Sequence, residues 1–412
     1  MYRMLLVVLA GLAISGCPKQ APPETPDAPT GPTVGSTGET LKFVATTVDP
    51  NGDSIAYQFD WGSDTSDWSR YHASGAACTT AHAWGLQGSY TVKVTARDLH
   101  GLMSDWSAGL NVSIESVCAY PARVVATVPV EQQPSDIAVS PDGQFVYVTC
   151  HGSNVVSVVR TSDNQVVADV QVGMMPMGVA VSVNGDYVYV GCGDGKVKVI
   201  RTSDNAVTAE VQCGFTLFGI AASADGQYVY ATDAAFGQVK VISTASNNVV
   251  ATVQAGTMPY GICAPAGCPF VYVSDFASGT VIVIRVSDNT VVATVQVGAA
   301  PYWLSASADG QYVYVAVSGG IEVKKIRTSD NAVCGTISAG PNPYGVGVTP
   351  DGVYVYVANH GGNTVSVVRV GDGACMANVS VGAGPTSVRV SAGGAYVYVT
   401  NGIGNTVSII GR

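Results

Sequence analysis

Charge is scarce in this chain. Only 12% of its 412 residues are Asp, Glu, Lys or Arg, about half the usual fraction, and the net charge is −10. An acidic chain with so few cations lacks the basic patches that nucleic-acid binders carry. No GxSxG, HExxH, CxxC, CxxCH or P-loop pattern occurs, which closes the common short routes to nucleophilic, zinc, haem-attachment and phosphate chemistry. Five histidines leave few candidates for a triad or a zinc centre. Helix-period patterning is absent, and the apolar run Leu5–Ile14 is too short to span a bilayer as a stable helix.

Valine, tyrosine and glycine are plentiful, and they recur in register. Units open at Pro134, Pro176, Leu217, Pro259, Pro301, Pro343 and Pro385, at spacings of 42, 41, 42, 42, 42 and 42 residues. Such a period means one supersecondary unit repeated. Each unit holds four short strand patterns, as in WLSASA, YVYVAV, IEVKKI and AVCGTIS of the fifth. Between the first two lies a tight turn with glycine suited to positive φ (Asp142-Gly143, Asp225-Gly226, Asp309-Gly310, Asp351-Gly352). Four antiparallel strands per unit of this length describe a propeller blade. The seventh unit runs out after three strands. Arg123–Pro134 matches Val291–Pro301, so residues 123–130 are expected to complete the last blade and close the ring.

The motif Tyr398-Val399-Thr400-Asn401, with degraded forms at Tyr147–Cys150, Tyr189–Cys192, Tyr272–Asp275 and Tyr356–Asn359, resembles the YVTN family of β-propeller repeats. The resemblance implies a seven-bladed propeller over residues 119–412 and a surface or periplasmic setting. It implies little about function.

The segments before the propeller differ in character. Residues 1–17 read as a secretory signal, and Ile14-Ser15-Gly16-Cys17 resembles the bacterial lipobox, which implies lipidation at Cys17. That places the protein in the bacterial cell envelope, anchored by lipid alone at the outer membrane or cell surface. Residues 18–34, with six prolines, are expected to form an extended tether without a core. Residues 35–118 hold short strands, and DPNGDSIAYQFDWGSD with GSYTVKVTARDLHGLMSDWS resembles PKD and fibronectin-III-like sandwiches. Trp61, Trp68, Trp84 and Trp106 then read as sandwich core and edge. The architecture expected is all-β: a small β-sandwich followed by a seven-bladed propeller.

Where the repeats depart from one another they offer candidate sites. On the expected topology the opening residue and the end of the second strand lie on one face of the disc, the mouth face. The residue after the opening one is Phe218, Tyr260, Tyr302 and Tyr344 in blades three to six, with Trp303 following Tyr302. These rings are expected to form an arc for partner binding, since rings dominate binding hot spots. A softer set, Cys150, His151, Met174, Met175, Met177, Cys192 and Cys213, falls on blades one and two. It suits Cu(I), or equally serves as small core filling. Asp136 and Arg389, replacing small residues, are expected to pair at the closure. In the sandwich, Asp49, Asn51 and Asp53 alternate as in a calcium loop, although the EF-hand order is broken at Gly52. Cys78 with Cys118, and Cys263 with Cys268, are possible disulfides.

No cofactor is predicted, with calcium and copper the two ions these patterns would accommodate. The expected function is non-catalytic binding or scaffolding of an envelope protein, peptide or polysaccharide. The alternative is an enzyme resembling propeller lactonases or lyases, with His151, Asp233, Asp275, His360 and Arg389 as its polar candidates.

Overall fold

The computed structural model describes residues 20–36, 39–86, 88–115 and 120–412. Every regular element among them is a β-strand. No helix among the described residues is long and apolar enough to cross a membrane. The chain divides into two compact units, Met1–Val117 and Cys118–Arg412. Cys17 and Cys118 lie outside the described residues, and with them the lipidation site and one end of a possible disulfide.

The first unit is a β-sandwich. Strands β1 (Val34–Ser36), β3 (Ala56–Asp60), β5 (Gly88–Arg97) and β6 (Leu110–Glu115) form one sheet in the order β1-β6-β5-β3. A second sheet pairs β2 (Leu41–Ala45) with β4 (Cys78–His82). Inward-facing residues alternate along β2, where Leu41, Phe43 and Ala45 are buried and Lys42 is exposed. The core gathers Phe43, Phe59, Trp61 and Trp84, with Phe59 stacked on Trp61 at 5.2 Å and the Trp84 indole N–H donating to Trp61 O at 3.1 Å. Trp68 lies under the Arg97 guanidinium at 4.3 Å, and Trp106 is exposed at the edge. Cys78 is a buried thiol within this core.

The proline-rich segment is not a free tether. Pro23, Pro26 and Pro29 are buried at every third residue while their neighbours are exposed. That spacing is the turn of a polyproline II helix laid against the sandwich. Glu24 N donates to Val48 O at 2.9 Å, Thr47 Oγ1 to Glu24 O at 2.6 Å, and Val44 N to Thr30 O at 2.9 Å. Proline supplies an apolar rib every third residue at no side-chain entropy cost, which reading the segment by low hydropathy overlooks.

The second unit is a ring of seven four-stranded sheets. Blade one runs from its inner strand Pro134–Val139 outwards through Phe145–Cys150, Val155–Arg160 and Gln165–Gln171, and five blades repeat that plan. The seventh takes its outer strand from β7 (Arg123–Pro129), which pairs antiparallel with Thr406–Gly411, Val128 opposite Val407. Closure is reinforced by the Tyr356 hydroxyl, which donates to Pro121 O at 2.8 Å.

Two repeat positions explain the ring. In the first turn, Gly143, Gly226, Gly310 and Gly352 have φ near 70°, and the preceding aspartate accepts from the turn hydroxyl, as Asp142 does from Ser140 at 2.5 Å. At the channel waist of blades two to four the inner strands approach so closely that only glycine fits, while Asp136, Trp303 and Ser387 hold this register in blades one, five and seven. A Cβ on Gly178, Gly219 or Gly261 would meet the next blade's carbonyl at 2.3, 2.4 or 2.6 Å. The hydroxyl of the YVTN-like motif ties neighbouring inner strands there. Thr149 donates to Met177 O at 2.7 Å, Thr232 to Tyr260 O at 2.8 Å, and Ser274 to Tyr302 O at 2.5 Å.

Candidate binding face

The aromatic positions meet around the channel mouth as a ladder. Phe218 stacks on Tyr260 at 4.3 Å, Tyr260 lies 4.1 Å from Tyr302, and Tyr302 stacks on Tyr344 at 4.3 Å. His360, which the repeat comparison did not group with them, continues the stack on Tyr344 at 4.3 Å and 8°. One ring per blade in the same register, on strands drawn together at the glycine waist, leaves the faces no room but against each other. Tyr260 and Tyr302 share a hydroxyl–hydroxyl hydrogen bond of 2.5 Å. Burial raises both phenols; the bond with Tyr260 offsets part of that at Tyr302, which is still pushed up to about 12, while the Tyr302 hydroxyl raises Tyr260 further. Trp303 is 3% exposed and packs edge-on to Tyr260 at 5.7 Å, so it is core rather than contact surface.

The apolar surface offered to solvent lies around this ladder, on loops of the same face. Met174 is 63% exposed, Phe215 67%, Phe236 53% and Ile403 70%, with Met175 and Ile321 also exposed. Phe215 and Phe236 pack edge to face at 5.5 Å. Sequence reasoning missed these except the methionines, because single apolar residues in loops carry no periodic signal.

The ends of the second strands prove structural. The Asp275 carboxylate accepts from Thr257 N, Met258 N and Ser278 Oγ at 2.9, 2.8 and 2.6 Å, and it sits below its ordinary value because those bonds outweigh its burial. Asn359 holds Gly340 N and donates to Thr364 and Ser366. These groups fasten one blade's connection to the next. Cys150 and Cys192 occupy the same register, fully buried in two separate cores. Burial pushes their thiols up to about 11 and about 12, so neither offers a thiolate at neutral pH. His151 instead pairs with Gln133 Oε1 at 2.9 Å. The soft set is therefore not brought together as a copper site.

Asp136 and Arg389 do meet, at 3.6 Å, but the short bonds to Asp136 come from Ser387 Oγ at 2.7 Å and Val179 N at 3.1 Å. Arg389 lies at the channel end away from the mouth, in a pocket walled by Ala138, Ile220, Cys263 and Leu304. Cys263 and Cys268 flank the fourth blade's first turn as free thiols. The polar candidates for catalysis thus divide. Asp275 is spent on backbone, Arg389 is at the far end, and His360 is stacked on Tyr344.

Three family comparisons match parts of the chain, none reaching half of it. The PKD domain matches residues 27–108, "Lactonase, 7-bladed beta-propeller" residues 108–212, and "Cytochrome D1 heme domain" residues 177–336. No curated protein matches. Among solved structures, Kuenenia stuttgartiensis hydrazine synthase aligns with TM-score 0.63 and 21% identity over 68% of this chain and 96% of that one. Matching solved chains number 1212, and likeness at this identity shows the fold alone. Together these place a PKD-type module and a β-propeller in the chain. A haem would need open ring faces or an unencumbered imidazole at the mouth. Here each ladder ring is covered by the next, and His360 lies flat on Tyr344 with Nδ1 3.3 Å from Pro385 O. The stacked faces leave a flat cofactor no open aromatic platform at this mouth, whereas stacking on Tyr344 does not engage the in-plane Nε2 of His360.

Proposed function

We propose that this protein is a non-catalytic binding or scaffold protein of the bacterial cell envelope, anchored through lipid at Cys17, and that its mouth face grips an apolar protein surface. The observation that carries the reading is the gathering of Met174, Phe215, Phe236 and Ile403, each more than half exposed, around one stacked, partly buried ring ladder. A stacked aromatic base with exposed apolar side chains at its rim supplies a large contact area. A polysaccharide partner is less favoured, since sugar platforms present open ring faces and these are covered. Lactonase or lyase chemistry is less favoured because Asp275 is held by backbone N–H groups, His360 is stacked on Tyr344 and Arg389 lies at the other end of the channel.

The test is photo-cross-linking of the full chain in its native envelope. A cross-linking amino acid would replace Phe215 or Ile403 on the mouth face, and Asp163 or Asp330 on the opposite face. Discrete adducts from the first pair alone support the reading; equal labelling from both faces overturns it. Mass spectrometry of the mature N-terminus tests the anchor separately, and an unmodified N-terminus not beginning at Cys17 would remove it.

A further inference from the structure

At one end of the sandwich the loop after β2 and the loop after β5 bring acidic groups together. One donor atom each from Asp53, Asp98 and His100 lies within 4.8 Å of the others. Asp98 is 0% exposed. Its Oδ1 accepts from His100 N at 2.8 Å and Leu102 N at 2.9 Å, while its Oδ2 is buried without a hydrogen-bond partner. Asp49 repeats the pattern at 5% exposure. Its Oδ1 accepts from Asn51 N at 2.8 Å and Asp53 N at 3.1 Å, and its Oδ2 is likewise buried and unpartnered. His100, half exposed, adds an imidazole to the cluster, with Nδ1 3.3 Å from Asp53 Oδ2.

The Asp53 and Asp98 carboxylates converge here, with Asp49 on the same loop as Asp53, and each buried carboxylate oxygen without a hydrogen-bond partner costs desolvation. Backbone N–H groups fix the near oxygens, which preorients the far ones. A neutral cluster would not need such aim. We infer that the sandwich binds one calcium-class divalent cation at Asp53 and Asp98, and that this ion latches the N-terminal segment to the domain. Oxygen donors on a short loop suit calcium, whereas imidazole would favour a transition metal. His100 stands at the rim and supports Asp53 rather than joining the ion. The latch follows from what the same loop holds: Asn51 Oδ1 accepts from Ala21 N at 2.8 Å, and Val48 O accepts from Glu24 N at 2.9 Å. An ion that fixes residues 49–53 fixes the dock of the polyproline strip.

The experiment uses the full chain, stripped with EDTA and returned to calcium by equilibrium dialysis. One ion per chain is expected, with Kd about 10⁻⁴ M, in the range of weak calcium modules. Asp98→Asn keeps size and the acceptor for both N–H groups, and should weaken binding by more than about tenfold while the chain stays folded. If that variant fails to fold, Asp53→Asn, at a part-exposed position, replaces it. His100→Ala should retain calcium. Hydrogen exchange at the Glu24 and Val44 amides should slow with calcium in the wild type and not in Asp98→Asn. No ion retained, or zinc alone retained and lost with His100→Ala, overturns the site. Calcium retained with unchanged exchange at Glu24 overturns the latch.

Discussion

The two faces of the propeller are built from the same seven repeats and differ in what they expose. The turn face is polar and regular. Five Arg–Asp pairs three residues apart recur on it at 2.5 to 2.9 Å, from Arg160–Asp163 to Arg369–Asp372. Its exposed apolar loop residues are Val183, Val353 and Tyr396. On the mouth face the copies diverge: Met174 and Phe215 share a register that holds Gln132, Thr257 and Ala299 in other copies, and Phe236, Ile321 and Ile403 stand out at three further loop positions. Repetition on one face marks the work of closing turns. Divergence on the other, with apolar groups left in water, is what the proposed binding role requires of a contact surface.

The largest effect expected is from removing closure itself. Deleting residues 120–133 takes away β7, its pairing with Thr406–Gly411 and the Tyr356 hydroxyl's acceptor. Both faces should be lost together, with aggregation through the bared edge and no cooperative propeller transition in denaturant. A soluble ring melting as before would show that blade seven stands on three strands.

Next, the mouth face should separate into core and surface. Trp303→Ala is expected to cost about 3–5 kcal/mol, because it empties a 3% exposed site. Phe215→Ser with Phe236→Ser should stay within about 0.5 kcal/mol per site in stability yet abolish partner cross-linking from Ile403. Denaturant melts and cross-linking yields measure the two separately. Loss of stability from the loop variants would make them packing and remove the distinction between rim and ladder.

Much of this was legible beforehand, for physical reasons that can be named. The blade period, the closing strand and the register of Phe218, Tyr260, Tyr302 and Tyr344 all rest on spacing, which a sequence displays directly. That the rings cover one another follows from how closely the glycine waist draws the strands, a distance no spacing reports. Asp98 and His100 join Asp53 across more than forty residues and two sheets, so pairing them needs the sandwich topology. The proline strip was misread because burial was judged from hydropathy, whereas Pro23, Pro26 and Pro29 bury themselves through a period of three.

A smaller effect concerns alkali. Tyr302, Tyr147 and Tyr230 are each pushed up to about 12 by burial. Between the unfolded value near 10 and about 12 the folded state keeps protons that the unfolded chain has released, so stability is full below pH 10 and falls as pH rises through this window. Phenolate absorbance should show surface tyrosines titrating first and the propeller set only near pH 12 or on unfolding. A single wave near pH 10 with the ring still folded would mean the ladder is open to water.

The smallest effect belongs to the turn face, and it is the control that the comparison needs. Arg160, Arg201, Arg285, Arg327 and Arg369 are each nearly half exposed, and their aspartates equally so. Exposed pairs gain little because water and salt screen them and two long side chains must be ordered. The turns keep their shape without the arginines. The positive φ of Asn164, Asn205, Asn289 and Asn331, together with the aspartate's bond to the backbone N–H two residues on, belongs to the turn residues themselves. Replacing all five arginines with glutamine should therefore leave the melting temperature of the ring and its cross-linking through Phe215 unchanged, even as net charge becomes more negative by five. Unchanged stability with lost cross-linking would break the comparison, since the partner would then be reading the regular, charged face and the exposed apolar groups opposite would need another explanation.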